Sequence, residues 1–235
     1  MKTQLTQLAA ALVASLILSA CGGGGDANPV ARGGPPLVVD AIGVSSFDST
    51  ALGLSLAALP VEALSVAEKD SLAFMREEEK LAHDVYAQLD LRWGATTRVF
   101  GSIAKSESTH AEAVRQLLLR YSLSDPAATS APGQFQNTTL QSLYTQLTTA
   151  GAISLVDALK VGAAIEEIDM VDINKALLSI DNQDIVLVYQ NLLKGSRNHL
   201  RSFVSNLALQ GITYVPQYMP LADYPAIVNA PMERG

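Results

Sequence analysis

The chain of 235 residues carries a single cysteine, a single tryptophan and three histidines, and aromatic residues make up only 6% of it. One cysteine excludes an internal disulfide and, with it, any site built from several thiolates. Basic residues are also scarce: 16 Lys and Arg stand against 23 Asp and Glu, the formal net charge is −7, and no basic cluster stands out. A field of that sign does not attract a polyanion, so nucleic acid is not an expected partner. No internal repeat of roughly 20–50 residues is visible. No window alternates apolar and polar residues at period two for long, which argues against a strand-rich fold.

What is present begins with Lys2 and an apolar run from Leu8 to Leu18, interrupted only by Ser15. A basic start and a short apolar stretch match a secretory signal, and the stretch is too short to span a bilayer. It ends in Leu18-Ser19-Ala20-Cys21, which resembles the lipobox read by the lipoprotein signal peptidase. The expectation is a signal peptide over 1–20 and lipidation of Cys21, with several acyl chains holding the protein on a membrane surface. Gly22 rather than Asp follows, so in a Gram-negative host the expected location is the periplasmic face of the outer membrane. Gly22 to Gly25, Gly33-Gly34-Pro35-Pro36 and scattered Ser and Ala read as a flexible tether over 21–58. A domain over 59–235 follows, long enough for one core.

That domain reads as all-α. Four long segments show helical spacing: about Val66 to Leu89, Thr97 to Tyr121, Ser154 to Leu178 and Asn182 to Gln210. Ser65 with Glu68 forms a capping-box pattern, and Ser154 with Asp157 suggests a second capped start. Gly195 inside the fourth segment costs about 1 kcal/mol relative to Ala and so asks for a packing reason. The first and second segments, and the third and fourth, are joined by a few residues. Between the second and third lies the long stretch Ser122 to Ile153, with a short helical piece around Leu140 to Leu147. Short, long, short is the loop pattern of two antiparallel hairpins joined by a crossover, as in ferritin-like four-helix bundles. The segment from Ile212 to Val228 is expected to be an irregular cover.

Polar residues interrupt the apolar stripes. In the second helix the stripe runs Ile103, Glu107, His110, Val114, Leu117, so Glu107 and His110 form an E-x-x-H pair at i, i+3 on a core face. A buried carboxylate without a partner costs several kcal/mol, so it calls for a cation. In the first helix Glu79 replaces an apolar residue in the series Leu72, Met75, Ala82, Tyr86; Glu78, on the stripe's other edge, is the second choice. His83, four residues after Glu79, either reaches the same space or lies at the boundary. In the third helix Glu166 falls in mid-stripe with Asp169 near it, and Glu167 lies at the edge. In the fourth, His199 sits among Ile185, Val188, Leu192, Phe203 and Leu207. Each helix thus sends an acid, a histidine or both toward one interior, the donor set of a di-iron or di-manganese carboxylate site. The competing reading is a metal-free buried polar network in an envelope protein that binds a partner protein.

Residues 75–82 (MREEEKLA), 106–110 (SESTH), 162–169 (GAAIEEID) and 195–200 (GSRNHL) resemble the DUF2202 family, a branch of the ferritin-like superfamily. The wider rubrerythrin and ferritin pattern takes one Glu from the first helix, Glu-x-x-His from the second, Glu from the third and Glu-x-x-His from the fourth. By that resemblance Glu79, Glu107, His110, Glu166 and His199 are metal ligands, Glu107 and Glu166 bridging, with Asp169 as an extra carboxylate. Tyr86 is implied as a hydrogen-bond partner of the site or a radical sink. The departure is Ser196, where the fourth helix should carry its glutamate, so either one ion or two are expected, the second more loosely held. The implied cofactor is iron, with manganese the other choice, and the implied chemistry is redox work on oxygen, peroxide or ferrous iron. The expected partners are metal ions and a membrane surface; a homodimer fits the reading, and no sign of a storage cage is present.

Overall fold

The computed structural model describes residues 35–40 and 43–234. Its elements in chain order are β1 (Leu37–Val39), β2 (Ser45–Phe47), α1 (Ser49–Ala57), α2 (Val66–Trp93), α3 (Val99–Arg120), α4 (Thr138–Gly151), α5 (Leu155–Leu177), α6 (Gln183–Leu209) and α7 (Tyr224–Val228). The described chain is therefore predominantly helical, as expected. The four long helices α2, α3, α5 and α6 pack side by side: α2 on α3 and α5, and α6 on α5 and α3. Inside them Tyr86, Phe100, Leu117, Ile173, Val188 and Phe203 are completely buried. Burial on that scale is worth about 1.5–3 kcal/mol per large apolar side chain.

Local signals explain where the helices start. The Ser65 hydroxyl accepts the Glu68 N–H while the Glu68 carboxylate accepts the Ser65 N–H at 2.8 Å, a complete capping box. Ser154 accepts the Asp157 N–H at 3.1 Å, and Asn137 caps α4, which lies in the long connection between α3 and α5 and packs on α2 and α5. Glu77 fixes that connection by accepting the backbone N–H groups of Gln136 and Asn137. The segment after α6 is less irregular than expected, since it contains α7. Buried Glu167 ties it down, accepting the Tyr214 hydroxyl at 2.6 Å and the N–H groups of Gln217, Tyr218 and Met219.

The tether expected over 21–58 ends earlier than its glycine and proline content suggests. β1 and β2 form an antiparallel hairpin, Leu37 opposite Phe47 and Val39 opposite Ser45, and β2 packs on α3 and α6. Leu37, Ser45 and Leu52 are completely buried. Each strand is only three residues long, so alternation is real but too brief to register as a period. Gly43, at φ 88°, makes the turn that a side chain would resist. The expected signal peptide and Cys21 lie outside the described residues. Among the described residues, no helix is long and apolar enough to cross a membrane.

Candidate metal centre

On the α2/α3 side, Glu79, Glu107 and His110 offer ligand atoms within 4.8 Å of one another. His110 Nδ1 lies 2.8 Å from Glu107 Oε2 and 3.5 Å from Glu79 Oε2. On the α5/α6 side, Glu107, Glu166 and His199 form a second such group, with His199 Nδ1 2.8 Å from Glu107 Oε1 and 3.4 Å from Glu166 Oε2. All five residues are buried, and the two imidazoles stack with centroids 5.4 Å apart. Glu107 thus spans both groups, one oxygen on each side. Glu166, the other expected bridge, reaches only one, because its Oε1 accepts the Tyr86 hydroxyl at 2.5 Å. That bond sets the Tyr86 hydroxyl against the side of Glu166 turned away from His199 Nδ1.

The imidazoles are held from behind by a residue that the sequence reading left in the tether. Ser45 Oγ lies 2.9 Å from His110 Nε2, 3.0 Å from His199 Nε2 and 2.7 Å from Ser106 Oγ. The Ser106 hydroxyl donates to the Ser45 carbonyl and also stands 2.9 Å from His199 Nε2. With the Ser106 proton on the carbonyl, one arrangement sends the Ser45 proton to Ser106 Oγ. The lone pairs left on Ser45 then take Nε2–H from both rings. That arrangement puts the Nε2 tautomer on each neutral histidine and turns both Nδ1 atoms toward carboxylates. Neither Nδ1 is aligned for a hydrogen bond, and Glu79 Oε1 is likewise buried without a partner. Two buried imidazole Nδ1 atoms facing three buried carboxylates form a donor set that fits a metal ion.

Without a metal, protons carry that burden. Burial works against charge on both imidazoles, but Glu107 outweighs it, pushing His110 well up and, with Glu166, His199 to about 9. Burial pushes the Glu79 carboxyl to about 7, opposed by His110 and assisted by Glu107. Burial would raise Glu107 too, yet the His199 and His110 charges hold it far below the carboxylate range. Burial also raises Glu166 and, together with Glu79, raises Asp169 well above its ordinary value.

Asp169 stands outside both groups of three. Ser196 donates to its Oδ2, while its Oδ1 is buried without a partner. Of the acids left open by the sequence, Glu79 joins a group and Glu78 does not, although Glu78 lines the same cavity. Glu167 is engaged by the C-terminal segment and faces away from the histidines. His83 is partly exposed and pairs with Asp84 at 2.9 Å, so it is not part of the site. Gly195 has its packing reason: a Cβ there would meet His110 Cε1 at 2.5 Å and Ser45 Oγ at 2.9 Å. Arg197 and Arg201 pair with Glu233, and Asn198 donates to its carbonyl, binding the chain's end over α6. The GSRNHL stretch is thus a set of separate contacts around one histidine. Ser45 and Ser106 escaped the sequence reading because neither carries charge, and nothing local links them.

The model of the family described as "Uncharacterized protein domain (DUF2202)" matches residues 68–231. An uncharacterized protein of Methanocaldococcus jannaschii, MJ0754, is 46% identical over 180 residues, covering 77% of this chain and 96% of its own. The crystal structure titled as that hypothetical protein superposes with a TM-score of 0.72, covering 74% of this chain and 99% of that one. The matched span runs from the first turn of α2 through α7 and holds every member of both metal-capable groups, and the chain belongs to the DUF2202 family.

Proposed function

We propose that this chain is a ferritin-like four-helix bundle that holds two divalent cations, iron or manganese, on the α2/α3 and α5/α6 sides of Glu107. The observation that carries the reading is the pair of buried groups, Glu79–Glu107–His110 and Glu107–Glu166–His199, whose ligand atoms converge while Ser45 Oγ lies against both Nε2 atoms and both Nδ1 atoms face carboxylates. Glu79, Glu107 and His110 would hold one ion, and Glu107, Glu166 and His199 the other. Such ions supply electron transfer to or from oxygen, peroxide or ferrous iron as substrate. The chain's own part is to exclude water from the site and to hold Glu166 Oε1 with the hydrogen bond that the Tyr86 hydroxyl donates. Asp169, held by Ser196, takes the place of the glutamate that α6 lacks, bringing the negative charge from the neighbouring helix.

The reading includes export and lipidation at Cys21, supported by the Leu18-Ser19-Ala20-Cys21 box. Cys21→Ala should abolish palmitate labelling and leave unprocessed precursor; normal processing of the variant would show an unlipidated secreted protein. The metal reading is tested by elemental analysis of full-length protein purified without chelator. Retained iron or manganese, with oxygen or peroxide consumed when ferrous iron is added, is the expected result. A chain that retains neither metal, even after incubation with both, would reduce the site to a buried polar network.

A further inference from the structure

We propose that Glu78, Asp169 and Asp172 form an oxygen-only cation station between solvent and the histidine-bearing ligands, which accepts a hard divalent cation and passes it inward. The inference rests on the metal reading above and concerns how that site is filled. Glu78 is 5% exposed, neither of its buried carboxylate oxygens receives an N–H or a hydroxyl, and Asp169 Oδ1 is buried without a partner. The chain satisfies buried carboxylates elsewhere. On either side of this point Glu77 receives two backbone N–H groups and Glu167 receives three with a tyrosine hydroxyl. Glu78 receives none of these donors. After burial, the groups that act on it most strongly are themselves acids, Asp169, Asp172 and Glu79. Glu78 and Asp169 line a cavity of about 10 Å³ together with Glu79, Glu107 and Glu166, and that volume holds about one water-sized body.

The arrangement has a direction. Asp172 lies one helical turn beyond Asp169 on α5 and is half-buried, so the acids run from the surface toward Glu79 and Glu107. Carboxylates alone hold hard cations loosely and leave them part of their water. Imidazole added to carboxylate holds iron and manganese more firmly, so transfer from the station to the inner ligands runs downhill. A cavity lined by one sign of charge also concentrates the counter-ion and speeds its arrival.

The test uses metal-free full-length protein and Mn²⁺ alone, following uptake by freeze-quench loss of the free-ion EPR signal. Glu78→Gln should slow uptake about tenfold or more at low ionic strength while leaving the number of ions retained at equilibrium unchanged. Asp172→Asn, at the half-buried rim and safe for folding, should slow it in the same direction by a smaller factor. Unchanged rates in both variants would overturn the station while leaving the inner site standing. Loss of a retained ion in Glu78→Gln would also overturn it, because Glu78 would then be a ligand of the inner site. Wild-type protein that takes up no Mn²⁺ would overturn the station and the metal reading together.

Discussion

The α2/α3 and α5/α6 halves of the molecule offer the same kind of ligand set by different routes. On α3 an acid and a histidine sit at i, i+3, Glu107 and His110, and a single glutamate joins them from α2. On α6 the same positions hold Ser196 and His199; the acids of that group are Glu166 from α5 and Glu107 from α3, and the Ser196 hydroxyl donates to Asp169 on α5 beside it. One residue earlier the helices differ again. Ser106 bonds Ser45, whereas Gly195 leaves the space that the Ser45 hydroxyl and the His110 ring occupy. A ligand pattern belongs to the space between helices rather than to one helix. A charge can therefore move to a neighbour when a short polar side chain holds it in place.

The sharpest way to break the comparison is Glu107, the one acid common to both halves. Glu107→Gln should remove both ions, whereas Glu79→Gln should remove the one beside His110 and Glu166→Gln the one beside His199. Metal per chain after dialysis reads the difference. Equal losses in all three variants would show that the halves form a single cooperative site.

Ser45 comes next, because its hydroxyl touches both imidazoles. Partners behind a metal-bound histidine contribute about 10–100-fold in affinity when removed. Ser45→Ala should therefore weaken both ions by comparable factors, measured by competition with a chelator. Loss confined to one side would mean that only one ring depends on the hairpin.

Gly195→Ala tests the asymmetry one residue earlier. Ala is better than Gly in a helix by about 1 kcal/mol, so propensity alone predicts stabilisation. Crowding against His110 and Ser45 should reverse the sign and cost about 1–3 kcal/mol in chemical denaturation. Gly53→Ala in α1, where nothing lies within 4 Å of an added Cβ, is the control and should follow propensity. Gly195→Ala as stable as that control would remove the stated reason for the glycine.

How much of this was legible follows from particular residues. The four long helices and the Ser65 and Ser154 caps could be read because their periods run over many turns and their capping pairs lie three residues apart. The three acids Glu77, Glu78 and Glu79 could be ranked only by stripe. Successive side chains turn by about 100°, so each faces a different partner, and for Glu77 that partner is backbone some sixty residues away. Ser45 was illegible for the same reason, since its bond to His199 spans 154 positions. A three-residue strand amid glycine and proline looks the same whether it dangles or plugs a site.

A smaller effect should appear on the side that borrows its acid. Asp169→Asn keeps the shape but removes the charge, and should weaken the ion beside His199 by about tenfold while sparing the ion beside His110. Ser196→Ala, which only frees Asp169, should do the same more weakly. A pair of equally firm ions in Asp169→Asn, read by the same chelator competition, would show that α6 needs no substitute charge.

The smallest effect expected is in thermal stability against pH, and its sign separates metal-free from loaded protein. In the metal-free protein Glu79 sits at about 7 against an ordinary 4.5, and His199 at about 9 against 6.5. Both are raised in the folded state. Each therefore contributes stability that is fully present below its unfolded value and lost as pH rises through its folded value. Glu79 loses its contribution between about 4.5 and 7 and His199 between about 6.5 and 9, so metal-free protein should melt lower at pH 9 than at pH 6. Glu107, held low by the imidazoles, loses its contribution only in acid, outside that window. A shift on the order of 5 °C is expected for a domain of this size, where 1 kcal/mol moves Tm by about 2–4 °C. With Mn²⁺ in excess the slope should flatten or reverse, because the cation replaces the same protons and binds more tightly once they leave. A metal-free Tm that stays level or rises from pH 6 to 9 would mean that these acids and imidazoles are not pressed together in solution.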